Sequence, residues 1–150
     1  MQIRTRRVNL QTAGFTDIHD LTPRIAALIR DEGLQEGSVL VFASGATAGV
    51  TTIEYEPGAL ADLRAAIERL APQKLAYAHD ARWGDGNGFA HVRAALLQAD
   101  LEVPVEAGEM LLGTWQQIVL CDFDNRPRRR TVVCQLRGQF SGDDAARPAP

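Results

Sequence analysis

The stretch "LEVPVEAGEMLLGTWQQIVLCDFDNRPRRRTVVCQLRG", residues 101–138, decides how this chain folds. It reads as strands and turns throughout. "LEVPVE" and "RRTVVCQLRG" alternate apolar and polar residues, and "QQIVLCDFD" is a short, strongly apolar run. Such patterns suit half-buried and fully buried strands respectively. "DNRPR" (124–128) carries turn residues between two such runs, so it reads as a hairpin connection.

Outward from that stretch, helices are inserted between strands rather than alternating with them. "DLTPRIAALIRDEG" (20–33) has Thr22 as a candidate cap, Pro23 in the first turn and Gly33 at the stop, with Ile25, Leu28 and Ile29 on one face. "PGALADLRAAIERLAP" (57–72) places Leu60, Leu63, Ile67 and Leu70 in one stripe and ends at Pro72. "FAHVRAALLQA" (89–99) is a third helix with Asn87 as its candidate cap. "RTRRVNLQT" (4–12) reads as an edge strand, "SVLVFAS" (38–44) as a buried one and "VTTIEY" (50–55) as another, while "LAYAHDARWGDGNG" (75–88) reads as a short strand and a glycine-rich loop. The pattern is that of an α+β domain with a largely antiparallel core and two to three helices, running from residue 1 to 140. The tail "SGDDAARPAP" (141–150) is small, polar and proline-rich, and is expected to be disordered.

A chain of 150 residues suits one domain, and its net charge of −3 favours neither nucleic acid nor an anionic membrane. No apolar run approaches the roughly 18 residues that cross a bilayer, and no leader-like apolar segment follows the N-terminal charges. Cys121 and Cys134 are too few for a disulfide framework and read as buried apolar residues of a cytoplasmic protein.

Three places carry candidate chemistry. The first is "HDARWGDGNGFAH" (79–91), where His79 and His91 enclose Asp80, Asp85 and Asn87. Two imidazoles with carboxylates suit a divalent metal, Mg²⁺ or Zn²⁺, or acid–base work, although a spacing of twelve is not a diagnostic zinc pattern. A purely structural role, with both rings bonded to loop backbone, accounts for the pattern equally well. The second is "GATAGVTTIEYEPG" (45–58), a small loop running into a strand that ends on Glu54. Loops this small let something approach the backbone closely. The third joins "GTWQ" (113–116) to the basic run "NRPRRR" (125–130). Thr114 and Gln116 are neutral hydrogen-bonding groups beside Trp115, which would wall a pocket or sit in the core. Alternation places Arg128 and Arg130 on one face and Arg129 on the other. One face would complete an anion site, and the alternative is a solvated tip.

Together these segments resemble the YjbQ family, also labelled "secondary thiamine-phosphate synthase enzyme". The resemblance is carried by "VPVEAGEMLLGTWQQIVLCDFDNRPRRRTVVCQLRG", by "AYAHDARWGDGNGFAHVRAALL" and by "TAGVTTIE", and runs from about Ile3 to Phe140. It implies a compact α+β fold with a β-sandwich core, a homotrimer with sites near subunit interfaces, and thiamine-phosphate synthase activity, in which a pyrimidine diphosphate joins a thiazole phosphate. On matching positions it implies a site of Thr47, Glu54, His79, Asp80, Asn87, His91, Thr114, Gln116 and one or more of Arg128, Arg129 and Arg130. His79, His91 and Glu54 would be catalytic, His79 and His91 would be metal ligands, and the rest would hold a small phosphorylated or anionic ligand. The chain departs from the family in one place. Gly45-Ala46-Thr47-Ala48-Gly49 stands where many members have His-Thr-Thr-Ala-Gly, so it looks like a glycine-for-histidine variant. Open space for a ligand atom or a water is expected at Gly45. The variant favours a second reading, a non-catalytic binding protein for a small anionic metabolite or a divalent metal.

Overall fold

The structure, a computed structural model, describes residues 1–142. Its eight strands are β1 (Gln2–Thr12), β2 (Asp17–Asp20), β3 (Leu34–Ala43), β4 (Ala48–Ile53), β5 (Asp100–Glu106), β6 (Glu109–Met110), β7 (Gln117–Asp122) and β8 (Arg128–Phe140). They form a five-stranded sheet in the order β1-β8-β3-β5-β6 and a three-stranded sheet in the order β2-β7-β4. Every pairing among the described residues is antiparallel. The α+β class with antiparallel sheets is therefore as expected, and β1 does lie at an edge.

Two apolar layers hold the sheets. In β8, Val132, Cys134, Leu136 and Phe140 point inward and are buried, as the alternation requires. They meet Ile118 and Leu120 of β7, Val50 of β4, and Ile25 and Ile29 of helix α1 (Thr22–Glu32). The other face of β7 presents Val119 and Cys121, followed by Phe123, to helices α2 (Pro57–Leu70) and α4 (Gly88–Leu97), which contribute Leu60, Ile67, Phe89 and Ala90. A strand buried on both faces reads as a continuous apolar run, which is why "QIVLCDF" shows no alternation. Both cysteines are free and buried. Burial pushes the Cys121 thiol up to about 12 and that of Cys134 up to about 11.

Five expectations are corrected. "DNRPR" is not a hairpin: β7 pairs only within the small sheet and β8 only within the large one, so the segment crosses between sheets. "AHDARW" is not the end of a strand but a short helix, α3 (Ala78–Trp83), closed by Gly84 at φ 64. That makes four helices among the described residues, not two to three. Thr22 is not the cap of α1. Leu21 holds that position, while the Thr22 hydroxyl accepts from the Ile118 amide and ties the helix to β7. Gly33 does close α1, at φ 75. Leu70, placed in the α2 stripe, is 73% exposed, while Ile67 before it and Ala71 after it are buried, so the buried side of the helix end passes it by. Of the expected tail, Ser141 donates its amide to the Gly33 carbonyl, and residues 143–150 lie outside those described. No helix of the described residues is long and apolar enough to cross a membrane.

Candidate functional site

One end of the sandwich gathers the start of β4, the end of β7 and the start of β8. Alternation along "DFD" sends Phe123 into the second apolar layer and leaves Asp122 and Asp124 together on the opposite side. Both carboxylates are fully buried. The same alternation at the start of β8 puts Arg128 and Arg130 over them, and the crossover is what brings the two segments face to face. Arg130 grips Asp122 at two points, Nε to Oδ2 at 2.6 Å and Nη2 to Oδ1 at 2.7 Å. Its Nη2 also donates to the Thr47 hydroxyl at 2.7 Å, and that hydroxyl donates to Asp124 Oδ2 at 2.8 Å. Arg128 Nε donates to the same Asp124 oxygen at 2.9 Å, and Thr12 donates to Asp122 Oδ2. Two buried carboxylates are thus neutralised by two guanidinium groups, as buried charges require. Burial works to raise the Asp124 pKa, but the hydrogen bonds from Thr47 and Arg128 outweigh it and hold the carboxyl below the usual carboxylate range.

The histidine loop abuts this network. The Asn125 amide donates to Asn87 Oδ1 at 3.0 Å, and the Asn125 side chain donates to the Asp85 carbonyl at 2.7 Å. Asn87 is buried and directly precedes α4, yet its side chain does not cap that helix. Instead Asp80 Oδ1 accepts from the Gly88 amide at 2.7 Å. A Cβ at Gly88 would lie 2.4 Å from the Tyr77 side chain and 3.0 Å from Asp80, so only glycine lets α4 begin here. The His79 and His91 rings lie 4.3 Å apart, tilted by 36°. His79 Nδ1 stands 3.5 Å from Asp80 Oδ1 and 3.3 Å from Asp85 Oδ1. That nitrogen is buried and makes no hydrogen bond among the described residues. One ligand atom each from His79, Asp80 and Asp85 can be chosen so that all lie within 4.8 Å of one another. These three residues form a His/Asp triad whose ligand atoms could hold a divalent cation.

The remaining candidates lie elsewhere on the chain. Glu54 follows the far end of β4, which is six residues long. It lies seven residues beyond Thr47, about 24 Å at a rise of roughly 3.4 Å per residue. Beside it, Thr114 and Trp115 line the same surface depression as Tyr55 and Gln117. Gln116 closes its own turn by accepting from the Gly113 amide, and its side chain donates to Thr52. Trp115 is 70% exposed, so it is not a core residue. Arg129 points away from Arg128 and Arg130, as alternation demands, into a shallow groove with His19 and Arg24. His19 itself bonds Asp17 at 2.7 Å. At Gly45 one group borders the open space expected there: a Cβ would meet Arg130 Nη1 at 3.0 Å and no other atom of the described residues within 4 Å. The residues that sequence reasoning passed over are Asp122, Asp124 and Thr12. Their signal was available in "DFD" and "RRR", two alternating segments whose charges are opposite.

A sequence model described as "UPF0047 protein YjbQ-like" matches residues 6–139. The chain belongs to this family. A UPF0047 protein of Archaeoglobus fulgidus is 36% identical over 129 residues, covering 86% of this chain and 98% of the relative. One from Methanothermobacter thermautotrophicus is 31% identical over 139 residues, covering 93% and 95%. Among solved structures, a YbjQ-like protein of unknown function from Sulfolobus solfataricus superposes with a TM-score of 0.86 at 25% identity, covering 92% of this chain and 99% of that one. A YjbQ/UPF0047 protein from Clostridium acetobutylicum gives 0.80 at 27% identity, covering 88% and 99%. The YjbQ-like fold expected from the sequence is thus the fold observed.

Proposed function

We propose that the histidine end of the sandwich is a metal-assisted site for a phosphorylated small molecule. The observation that carries this reading is His79 Nδ1, a buried nitrogen without a hydrogen bond, set between two carboxylates. An imidazole with two carboxylate oxygens fits a divalent cation in which nitrogen and oxygen ligands mix, such as Zn²⁺ or Mn²⁺, and its carboxylates also suit Mg²⁺. His79, Asp80 and Asp85 would hold the ion, with His91 beside them. Such an ion would supply neutralisation of phosphate charge.

The chain's own residues have separable tasks. Asp80 and Gly88 fix the start of α4 and so set where His91 stands. Asp122 and Asp124 hold the guanidinium groups of Arg130 and Arg128 in place. His91 and Glu54 are candidates for moving a proton or orienting an imidazole, and Thr114 and Gln116 for contacting a ligand. The reaction suggested by the family resemblance forms a bond from a thiazole nitrogen to a pyrimidine methylene carbon. The carbon–oxygen bond to pyrophosphate breaks, and the electron pair leaves with pyrophosphate. That departure needs cationic groups near the leaving oxygens.

Glu54, Thr114 and Gln116 join such a site only across a subunit boundary. The reading therefore includes a homotrimer. A cyclic trimer has head-to-tail interfaces in which two different faces meet, so one subunit's Glu54 end can face the next subunit's histidine end. A second reading, binding without turnover, draws support from the family resemblance, which implies a histidine at the position of Gly45 and so a site with two imidazoles rather than three.

The test is to titrate metal-stripped protein with Mn²⁺ and then with pyrophosphate, and to incubate it with both thiamine precursors and Mg²⁺. Saturable Mn²⁺ binding that is lost in His79→Ala supports the site, and its retention in that variant refutes it. Thiamine phosphate formation unchanged in His91→Ala removes the catalytic claim. Ligand binding without product leaves the second reading.

A further inference from the structure

We infer that Arg130 and the turn at Gly45–Thr47 form a phosphate-oxygen subsite whose access depends on the absence of a side chain at position 45. This deepens the proposed function and rests on it for the nature of the ligand.

Arginine offers five N–H donors. In Arg130 the Nε donor and both Nη2 donors are consumed by Asp122 and Thr47. The two Nη1 donors go to none of the described residues. The side chain is only 10% exposed, so its orientation is fixed by a clamp that is itself buried. The Nη1 corner looks toward Gly45, 3.0 Å from where a Cβ would stand. Gly45 and Ala46 are exposed, and their amides enter no hydrogen bond among the described residues. One cationic corner and a turn with unused amides therefore face the same opening. Fixed donors of this kind suit an oxyanion.

The geometry selects among anions. A planar carboxylate prefers the two-pronged edge of arginine, and Asp122 already occupies that edge. What remains is a single corner plus amides from a separate direction, which suits the non-planar oxygens of a phosphate. The opposing charges are Asp122, which neutralises Arg130, and Asp124, 3.7 Å from Nη2. Gly45 has φ +156, where a side chain is strained, and any Cβ would stand in the approach to Nη1. Glycine is thus needed twice at this position, for the backbone and for access.

The experiment is a ¹⁵N NMR titration of EDTA-treated protein with pyrophosphate and separately with acetate, at constant ionic strength. Saturable shifts at the Gly45 and Ala46 amides and at the Arg130 side chain are expected with pyrophosphate, and much weaker ones with acetate. Arg130→Lys, which keeps the charge and removes the Nη1 corner, should weaken pyrophosphate binding at least about tenfold. Arg129→Ala, on the opposite face, should leave it within about twofold. Shifts centred elsewhere overturn the assignment, and so does wild-type affinity in a folded Arg130→Lys protein. If that variant does not fold, the wild-type shift map decides alone. Pyrophosphate binding that appears only with added metal defeats the subsite and leaves the metal reading standing. Binding in EDTA by a protein that never takes up Mn²⁺ does the reverse.

Discussion

Arg130 and Asp122 meet in a buried two-point clamp, with contacts of 2.6 and 2.7 Å, at the junction where the chain passes from one sheet to the other. The clamp sits where the small sheet ends and the large sheet begins, so it fixes the relation between the two. Removing one partner of a buried pair leaves the other charge uncompensated, at a cost of about 3–5 kcal/mol. Asp122→Asn is therefore expected to lower the urea midpoint sharply with an unchanged denaturant slope. A loss below about 1 kcal/mol would show that water or a neighbour compensates Arg130.

Asp124 sets an acid limit. Its carboxyl lies lower in the folded protein than its ordinary value of 3.8, because Thr47 and Arg128 donate to it against the opposing effect of burial. A depressed folded value means that the stabilisation is complete above the unfolded value. It is lost as pH falls from about 4 through the folded value. Urea midpoints between pH 2 and 6 should show this fall, and it should be shallower in Asp124→Asn. An identical slope in the variant would assign the acid limit to other carboxylates.

The cysteines give a test of the two apolar layers. Cys121 and Cys134 are buried on opposite sides of the small sheet, with thiols pushed up to about 12 and about 11. A thiol reagent at pH 8 should label neither in the folded protein and both in guanidinium, because the thiolate is the reactive form. Rapid labelling of Cys134 alone would mean that the large sheet opens locally.

How much of this was legible in the sequence follows from which interactions are local. Gly33 and Pro23 announced α1 because helix ends are set by neighbouring residues. The inward face of β8 could be read because side chains alternate along a strand. The partners of β7 and β8 could not be read, since alternation fixes a face and not a neighbour, and so "DNRPR" passed for a hairpin. The helix α3 was hidden because its six residues bury no apolar face and carry no periodicity. At the site, His79, Asp80, Asn87 and His91 are close in sequence and were found together. Asp122 and Arg130 acquire meaning only through the crossover.

The metal reading predicts a hierarchy among histidines. His79→Ala should weaken Mn²⁺ or Zn²⁺ binding by at least about tenfold, the scale on which losing even an outer-shell partner is felt. His19→Ala should leave binding unchanged, since His19 pairs with Asp17 in a different groove. Calorimetry on metal-stripped protein measures both. Equal losses in the two variants would indicate non-specific surface binding.

Whether the two ends of β4 serve one site is decided by mixing subunits. Within one chain Glu54 and Thr47, at opposite ends of β4, are separated by about 24 Å along the strand, and the loop of His79 abuts the Thr47 end. In the proposed head-to-tail ring, one subunit's Glu54 end would face the next subunit's histidine loop. Glu54→Ala and His79→Ala proteins, each inactive alone, should therefore regain activity when unfolded together and refolded as mixed oligomers. Some interfaces would then pair an intact Glu54 with an intact His79. The recovered fraction should follow the mixing ratio, read as thiamine phosphate formed. Light scattering on the same samples gives the subunit number. A monomer, or mixed oligomers with no recovery, would leave the Glu54 end outside the site and confine the chemistry to the histidine loop and the Asp122–Arg130 network of a single chain.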